Sequence, residues 1–268
     1  MIRRLCLLSL AWAPYAGATD FSPWIGNSLE LQGEVGYLYQ RFREVDSGDG
    51  DFEKKSNGNL LFAGLKVAYQ DISGEIELFL AKTSEMSFGF SHARETFRYQ
   101  PYDELNCDPV SLVFGLSLAE SLSHSLKDFT FIHHGHFEAY AFGSIGKELT
   151  TSFKRWCSRV YGTVGVGVAD IGSPWIDSSC FYEKRWVEGH RAGAGASFGM
   201  GFGRENLCLH HFDGYGPVRY REANLKAYYV YDIDRCHALK VLADVRVYAD
   251  NCPRAASISI AYLASFGL

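Results

Sequence analysis

Residues 219–268 read RYREANLKAYYVYDIDRCHALKVLADVRVYADNCPRAASISIAYLASFGL. Apolar side chains take every second position in 223–231, 239–247 and 258–268, and short polar breaks separate these three segments. Successive side chains on a β-strand point to opposite faces. The stretch therefore predicts three antiparallel strands, each with one apolar face and one face that carries charge.

The length of these strands separates two classes of β-protein. A soluble sandwich shows the same alternation, but its strands are typically about 5–6 residues long. Here the alternation runs for ~12–14 residues, whereas a strand that crosses an outer membrane needs about 9–11. The sequence also ends on the apolar face, at Phe266 and Leu268. The strands are therefore predicted to cross a membrane.

The N-terminal residues 1–18 are predicted to form a signal peptide. Arg3 and Arg4 precede a short apolar run, and Ala16-Gly17-Ala18 supplies a small-residue cleavage site. The remaining residues, 19–268, are enough for one domain. We expect an exported chain.

The composition favours an all-β protein. Aromatic residues make up 15% of the chain, and there are 27 glycines but only 3 methionines. No window approaches about 18 uninterrupted apolar residues, which excludes helical membrane spans. The net charge of −5 argues against a nucleic-acid partner, because such partners require a basic face.

The same alternation continues upstream. Further strands are predicted at 28–42, 59–70, 75–83, 93–101, 109–118, 131–146, 155–169 and 184–203. A barrel with both termini on one side needs an even strand number, so a short strand at 206–212 is added. The predicted fold is a single closed antiparallel transmembrane β-barrel of about twelve strands, with ten as the alternative.

The predicted connections fall into two sets. Short periplasmic turns and longer external loops are the usual outer-membrane arrangement. The expected periplasmic connections are 71–74, 102–109, 147–154, 203–205 and 234–237. The expected external connections are 43–58, 84–92, 119–130, 170–184, 213–218 and 250–254.

Together these features resemble the Gram-negative outer-membrane β-barrel proteins across the whole chain. The last strand, with Ile260, Tyr262, Ala264 and Phe266 on one face, is similar to the insertion signal of such proteins. The resemblance implies an outer-membrane location and contact with outer-membrane lipid. It also implies recognition by the barrel-assembly machinery through 255–268, and a monomer.

Charged residues of both signs occupy the predicted inward positions. Two interpretations stay open: a compensated charge network that fills a narrow barrel, or a small polar pore with a weak cation preference. Either one makes the protein a non-catalytic passive channel or a structural surface barrel. The predicted lumen residues are Glu30, Glu34, Lys66, Glu75, Glu77, His134, His136, Glu138, Arg159, Lys226, Asp232, Lys240, Asp244 and Arg246.

The segment 131–138, FIHHGHFE, contains the side chains best suited to bind a metal ion. On a strand, His134, His136 and Glu138 would share the inward face, and two imidazoles at i and i+2 can ligate one metal. Three such positions span about 13 Å, too far for one ion to bind them all. The interpretation preferred here is a set of lumen histidines in the polar network, without a metal or other cofactor.

Two alternatives to a channel are retained. An outer-membrane lipid hydrolase, of the phospholipase or lipid A deacylase type, would use Ser123 with His134 and Asp128. A soluble exported binder resembling a lipocalin would use the apolar faces as its core.

Six cysteines remain after the signal peptide, and an even number in an exported chain predicts disulfides. The predicted topology places Cys180 and Cys252 outside. It places Cys107, Cys157, Cys208 and Cys236 at the periplasmic rim.

Glycines leave the inward face of the predicted strand 184–203 nearly bare. That face would either leave room for a solute or receive large residues of facing strands, and the second interpretation is preferred.

Overall fold

The computed structural model describes residues 21–47, 52–150, 156–187, 189–208 and 212–267. These residues form one sheet of twelve antiparallel strands, and the sheet closes because the last strand pairs with the first, Glu30 opposite Gly267. The predicted closed barrel of about twelve strands is confirmed, and the ten-strand alternative is wrong. The predicted signal peptide lies outside the described residues.

Each strand pairs with its neighbours in sequence. The strands are β1 Glu30–Val45, β2 Phe52–Tyr69, β3 Ile72–Lys82, β4 Gly89–Tyr102, β5 Ser111–Ser121, β6 Phe137–Thr150, β7 Trp156–Ala169, β8 Trp175–Val187, β9 His190–Gly201, β10 Arg221–Asp232, β11 His237–Asp250 and β12 Pro253–Gly267. One short helix, α1 Ser123–Leu126, lies between β5 and β6. No helix of the described ranges is long and apolar enough to span a bilayer.

The barrel is apolar outside and polar inside. Val35, Leu65 and Leu225 each expose more than half of their surface on the outer wall. Glu34 and Lys66, one position away, are buried in the lumen. This inverts the arrangement of a soluble protein and fits strands whose outer faces contact lipid.

Several strand boundaries differ from the predictions. The predicted loop 43–58 is largely strand, because β1 and β2 continue to Val45 and from Phe52 as a tall hairpin. The predicted turn 71–74 is shorter: β3 begins at Ile72, and Gln70 takes the positive φ that the tight turn requires.

Two strand predictions are wrong. The predicted loop 170–184 contains most of β8, and the described residues of 206–212 form no strand. Residues 209–211 lie outside the described part of the chain. Leu207 and Phe212 are instead buried in the lumen. The strand count is correct because the missing β8 and the extra strand at 206–212 cancel. As a result, the connection at 203–205 lies at the end of the barrel opposite to the periplasmic end that was predicted for it.

The two ends of the barrel are distinct. Both described termini lie at one end, called here the terminal rim, with the β2–β3, β4–β5, β6–β7, β8–β9 and β10–β11 turns. The opposite end, called the distal rim, carries the other connections. Among these are 122–136 and the described residues of the long β9–β10 connection, 202–208 and 212–220.

Residues 21–28, called here the N-terminal plug, fill the lumen near the terminal rim. The Phe21 carbonyl accepts hydrogen bonds from the inward hydroxyls of Ser144 and Thr163. Trp24 packs edge-on against Tyr161, with ring centroids 5.5 Å apart. The plug is therefore attached by both polar and aromatic contacts to the strands β6 and β7.

A second plug closes the distal rim and consists of 122–136, 202–208 and 212–220, called here the distal plug. Phe129, Phe212 and Tyr215 pack inside the barrel against Phe42 of β1. The two loops are tied by the backbone, because the Tyr215 amide donates to the His133 carbonyl at 2.7 Å. The lumen is thus filled from both ends by segments that are not part of the wall.

Glycines permit the closest approaches inside the barrel. A Cβ on Gly195 would lie 2.0 Å from the Phe181 ring of β8, and one on Gly193 would lie 2.4 Å from the Tyr228 ring of β10. Large residues of the neighbouring strands therefore cover the glycine row of β9. Large residues do cover these two positions, as the preferred interpretation expects, but they come from the neighbouring strands and not from facing ones.

Candidate functional site

The structure places the predicted lumen residues inside the barrel. Nine of the fourteen are buried and five are partly buried. The buried ones are Glu30, Glu34, Lys66, Glu75, Glu77, His134, Arg159, Lys226 and Lys240. The partly buried ones are His136, Glu138, Asp232, Asp244 and Arg246.

One ion-pair network lies toward the terminal rim. Arg159 of β7 contacts Glu148 at 3.4 Å and Glu183 at 3.0 Å, on the strands at either side of it. Glu183 also contacts Arg191, which in turn contacts Asp232 at 2.8 Å. A carboxylate thus faces a cation across each strand pair, as burial of charge requires.

A cavity of about 180 Å³ lies between the two plugs. Phe21 borders it on the terminal side, and the plug residues His133 and His134 border it on the distal side. Two ion pairs line its wall: Lys226 with Asp244 at 3.6 Å, and Arg246 with Glu222 at 2.7 Å. Such a volume accommodates several waters or one small solute.

The histidine segment does not lie on a strand. The predicted strand 131–146 is wrong over 131–136, because β6 begins at Phe137. His134 stacks on Trp175 at 3.6 Å, and its Nε2 is 2.8 Å from the Tyr220 hydroxyl. The ring therefore connects the distal plug to the strand β8.

These contacts do not assemble a metal site. His136 Nδ1 lies 3.3 Å from the Ser121 carbonyl oxygen, away from the partners of His134. Glu138 accepts a hydrogen bond from the His134 backbone amide at 2.7 Å. Within the described ranges, no group of three or more His, Cys, Asp or Glu side chains could hold an ion.

The hydrolase candidates are not brought together either. Ser123 is exposed on α1. Asp128 is buried, and it accepts hydrogen bonds from the Thr83 hydroxyl and the Thr130 amide. His134 contacts Tyr220 and Glu138 instead. Neither Asp128 nor His134 is therefore oriented to activate Ser123.

The cysteine distribution differs from the prediction. Cys180 lies in the middle of β8, and Cys208 follows the distal end of β9 instead of lying at the terminal rim. All six described cysteines are free thiols. Burial raises the pKa of the Cys252 thiol to about 12, so this group is a weak nucleophile for disulfide exchange.

Sequence reasoning missed several residues that line the cavity. Arg94 lies in the predicted strand 93–101 but was not named as a lumen residue. Asp177 lies in the predicted loop 170–184, and His133 was assigned to the outward face of a strand. The alternation of Asp177, Phe181 and Glu183 along 175–187 could have indicated an inward face. On that strand, however, the outward positions include Lys184, which obscured the pattern.

His133 is a buried titratable group of the distal plug. Burial lowers its pKa from the ordinary 6.5 to about 4, and Arg94 acts in the same direction. Glu138 of β6 and Asp128 of the same loop oppose the shift. His92 of β4 packs against the ring at 4.7 Å. The folded plug therefore favours the neutral form of His133.

Acidification is expected to destabilise the barrel through His133. Stability from this group is complete above pH 6.5 and is lost as the pH falls toward 4, by roughly 2 kcal/mol between pH 7.5 and 5. Urea unfolding at both pH values should show this loss in the native chain and not in His133→Gln. His124→Gln, on the exposed face of α1, is the matched control. Equal losses in native and His133→Gln chains would contradict the assignment.

The fold is similar to solved outer-membrane barrels. A COG4313 outer membrane channel from Pseudomonas putida F1 superposes with a TM-score of 0.67 at 12% identity, over 90% of this chain and 96% of that chain. The NanC porin gives 0.56 at 6% identity, over 88% and 100%. The KdgM porin gives 0.52 at 10% identity, over 87% and 99%.

These likenesses confirm the predicted outer-membrane barrel resemblance at the level of the fold. No family model matches the chain, and no curated protein does.

Proposed function

We propose that the protein is a small outer-membrane channel for small polar solutes, held closed by its N-terminal and distal plugs. The observation that carries this proposal is the position of the cavity. It is lined by charged and aromatic side chains, and it is separated from both rims by non-strand segments. Such segments can move without breaking a hydrogen bond between neighbouring strands of the barrel wall.

The structural neighbours support the same proposal. One is described as an outer membrane channel and two as porins. An unfilled lumen would resemble an open pore, whereas a fully packed one would favour a purely structural barrel. The lumen of this barrel is neither unfilled nor fully packed, because plugs fill its two ends and a cavity occupies its middle.

The location of the channel follows from the outer wall. Apolar residues cover the strands, and Tyr229 and Tyr262 near the terminal rim bond to His190 and His237 at 2.5 and 2.7 Å. Aromatic residues with a polar partner suit the interface between lipid and water. The proposed orientation puts the terminal rim in the periplasm.

Export by residues 1–18 and insertion through 255–268 by the barrel-assembly machinery are part of the proposal, as is a monomer in outer-membrane lipid. Disulfide pairing in the exported chain stays a prediction.

Liposome swelling tests the proposed function. Purified protein from which both plugs are removed should admit amino acids and small sugars into liposomes faster than the native, plugged chain, at a rate that falls as solute size rises. Protein-free liposomes are the baseline. Uptake at the baseline rate for every solute, even after removal of both plugs, would contradict a channel.

A further inference from the structure

We infer that the central cavity binds a neutral monosaccharide in its six-membered ring form, through hydroxyl groups that reach His133 and Asp244 from opposite sides of the ring. This inference rests on the proposed channel function and names the class of solute that the channel takes. It stands on the size of the cavity, on the pairing of its charged groups and on two polar atoms that lack a hydrogen-bond partner.

The volume of the cavity suits a six-membered ring. An apolar cavity of about 150 Å³ in a protein core is known to hold benzene, and this cavity measures about 180 Å³. Phe21 and Tyr140 both line it, with ring centroids 5.7 Å apart. Aromatic side chains with a few placed polar groups are the usual lining of a small-molecule site. The cavity therefore offers flat apolar surfaces to a ring and polar atoms to its substituents.

Ion pairs already occupy one wall of the cavity. On β10 and β11, Lys226 contacts Asp244 at 3.6 Å and Arg246 contacts Glu222 at 2.7 Å. Arg246 also donates a hydrogen bond to the Pro253 carbonyl oxygen at 2.7 Å. A solute carboxylate or ammonium group would have to compete with these contacts.

The remaining charged groups of the lining, Glu138, Arg94 and Asp177, also have partners. Glu138 lies 3.5 Å from His134 Nδ1 and accepts a hydrogen bond from the His134 backbone amide. Arg94 and Asp177 each have an interaction partner within the structure as well. A charged solute would therefore be desolvated without gaining a free counter-charge, whereas a neutral solute avoids that cost.

His133 contributes the first polar atom without a partner. The residue lines the cavity and is more than nine-tenths buried. Its Nδ1 lies 3.2 Å from the Ser121 hydroxyl, whereas its Nε2 has no hydrogen-bond partner among the described residues. His92 packs edge-on against the ring, with centroids 4.7 Å apart, and fixes its orientation. A solute hydroxyl suits Nε2 in either tautomer, because a hydroxyl can both donate and accept.

Asp244 contributes the second such atom. Its Oδ2 contacts Lys226, whereas its Oδ1 has no hydrogen-bond partner within the described part of the chain. The strand β5, whose Ser121 contacts His133, is six strands from β11 in a ring of twelve, so the two atoms approach from opposite sides. An ionised carboxylate accepts several hydrogen bonds, so Asp244 can retain Lys226 and accept from a solute hydroxyl. A sugar ring carries hydroxyls around its whole edge and can reach both atoms.

Equilibrium dialysis of the detergent-solubilised protein at neutral pH tests this inference without requiring conduction. It reports binding even if the plugs slow entry, and an amine-oxide detergent avoids competition from a sugar headgroup. The probes are D-glucose, D-glucuronate and D-glucosamine, which share one ring form and differ in charge. We expect D-glucose to bind at least about tenfold more tightly than either charged sugar. Such binding without uptake by liposomes, even after removal of both plugs, would retain the site and reject the channel, whereas uptake without this preference would reject the site alone.

Two neighbouring positions on β9 provide a matched pair of variants. Ser197 is buried and lines the cavity, so Ser197→Phe fills the site and should abolish binding of D-glucose. Ala196 is exposed on the outer wall, so Ala196→Phe adds the same ring on the lipid side and should leave binding unchanged. A heat-modifiable gel band establishes that each variant is folded.

His133→Phe assigns the hydrogen bond, because it retains a ring of similar size and removes both nitrogens. It should weaken D-glucose by about tenfold. One monodeoxy derivative of D-glucose should show a similar loss in the native chain and no further loss in His133→Phe, a coupling that a purely structural role of the ring would not produce. The inference is overturned if D-glucose does not bind, if a charged sugar binds as tightly, if Ala196→Phe weakens binding as much as Ser197→Phe, or if no deoxy derivative is coupled to His133.

Discussion

Replacing Arg159 with Met is expected to lower the free energy of unfolding by about 3–5 kcal/mol, because the change removes the buried cation that Glu148 and Glu183 share. The guanidinium of Arg159 is fully buried and lies between the rings of Trp24 and Trp156, at 4.6 and 4.2 Å. Met retains an apolar stem between the two rings. The expected decrease in the free energy of unfolding therefore reports mainly on the removal of the positive charge.

Urea unfolding in detergent measures this effect. Arg254→Gln is the matched control, since Arg254 forms ion pairs at 3.4 Å while about half exposed, and its loss should cost less than about 1 kcal/mol. The double variant Arg159→Met with Glu148→Gln should recover part of the stability, because Glu148 loses its cation in the single variant, whereas Glu183 keeps its contact with Arg191. A single-variant loss as small as that of Arg254→Gln would contradict a structural role for the network.

Removing both plugs is expected to raise single-channel conductance by roughly tenfold or more over either single change, because two constrictions in series each limit the current. Deletion of 21–28 opens the terminal side. Gly216→Val opens the distal side, because a Cβ on Gly216 would lie 2.4 Å from the carbonyl oxygens of His134 and Ile171. The connections 122–136 and 212–220 would therefore have to separate.

Planar-bilayer recording of the two single variants and the combined variant forms a complete cycle. Each single variant should raise the conductance only slightly, and the combined variant should raise it by roughly tenfold or more over either one, a result greater than the sum of the two single effects. Leu29→Ala, at an exposed position just after the N-terminal plug, is the control and should behave like the native chain. Additive effects would mean that the plugs do not act in series.

The strands with clean alternation could be predicted from the sequence because lipid imposes one apolar face on every strand. β8 could not, since Ser178, Cys180 and Lys184 occupy its outward positions and its inward face carries Trp175 and Phe181. On such a strand the two faces differ little in polarity. Strand length and pairing then come from the neighbours β7 and β9.

The plugs were beyond sequence reasoning for a different reason. Phe129, Leu207 and Phe212 are apolar residues that face the lumen instead of lipid, so apolar character did not separate them from wall residues. The strand at 206–212 was predicted only because an even strand number required it. The cavity residues Arg94 and Asp177 could be recognised only after β4 and β8 were in register across the ring. Inward charge could be predicted from alternation, whereas its grouping around one cavity required the fold.

Heat modifiability of the full chain tests most directly whether these twelve strands close a membrane barrel. Detergent-extracted protein is run unheated and boiled on a denaturing gel, with and without reductant. A closed barrel predicts a faster unheated band that boiling converts to the position of the unfolded chain, with no change on reduction if the six cysteines are free. A protein that stays soluble without detergent and migrates identically before and after boiling would contradict the membrane barrel.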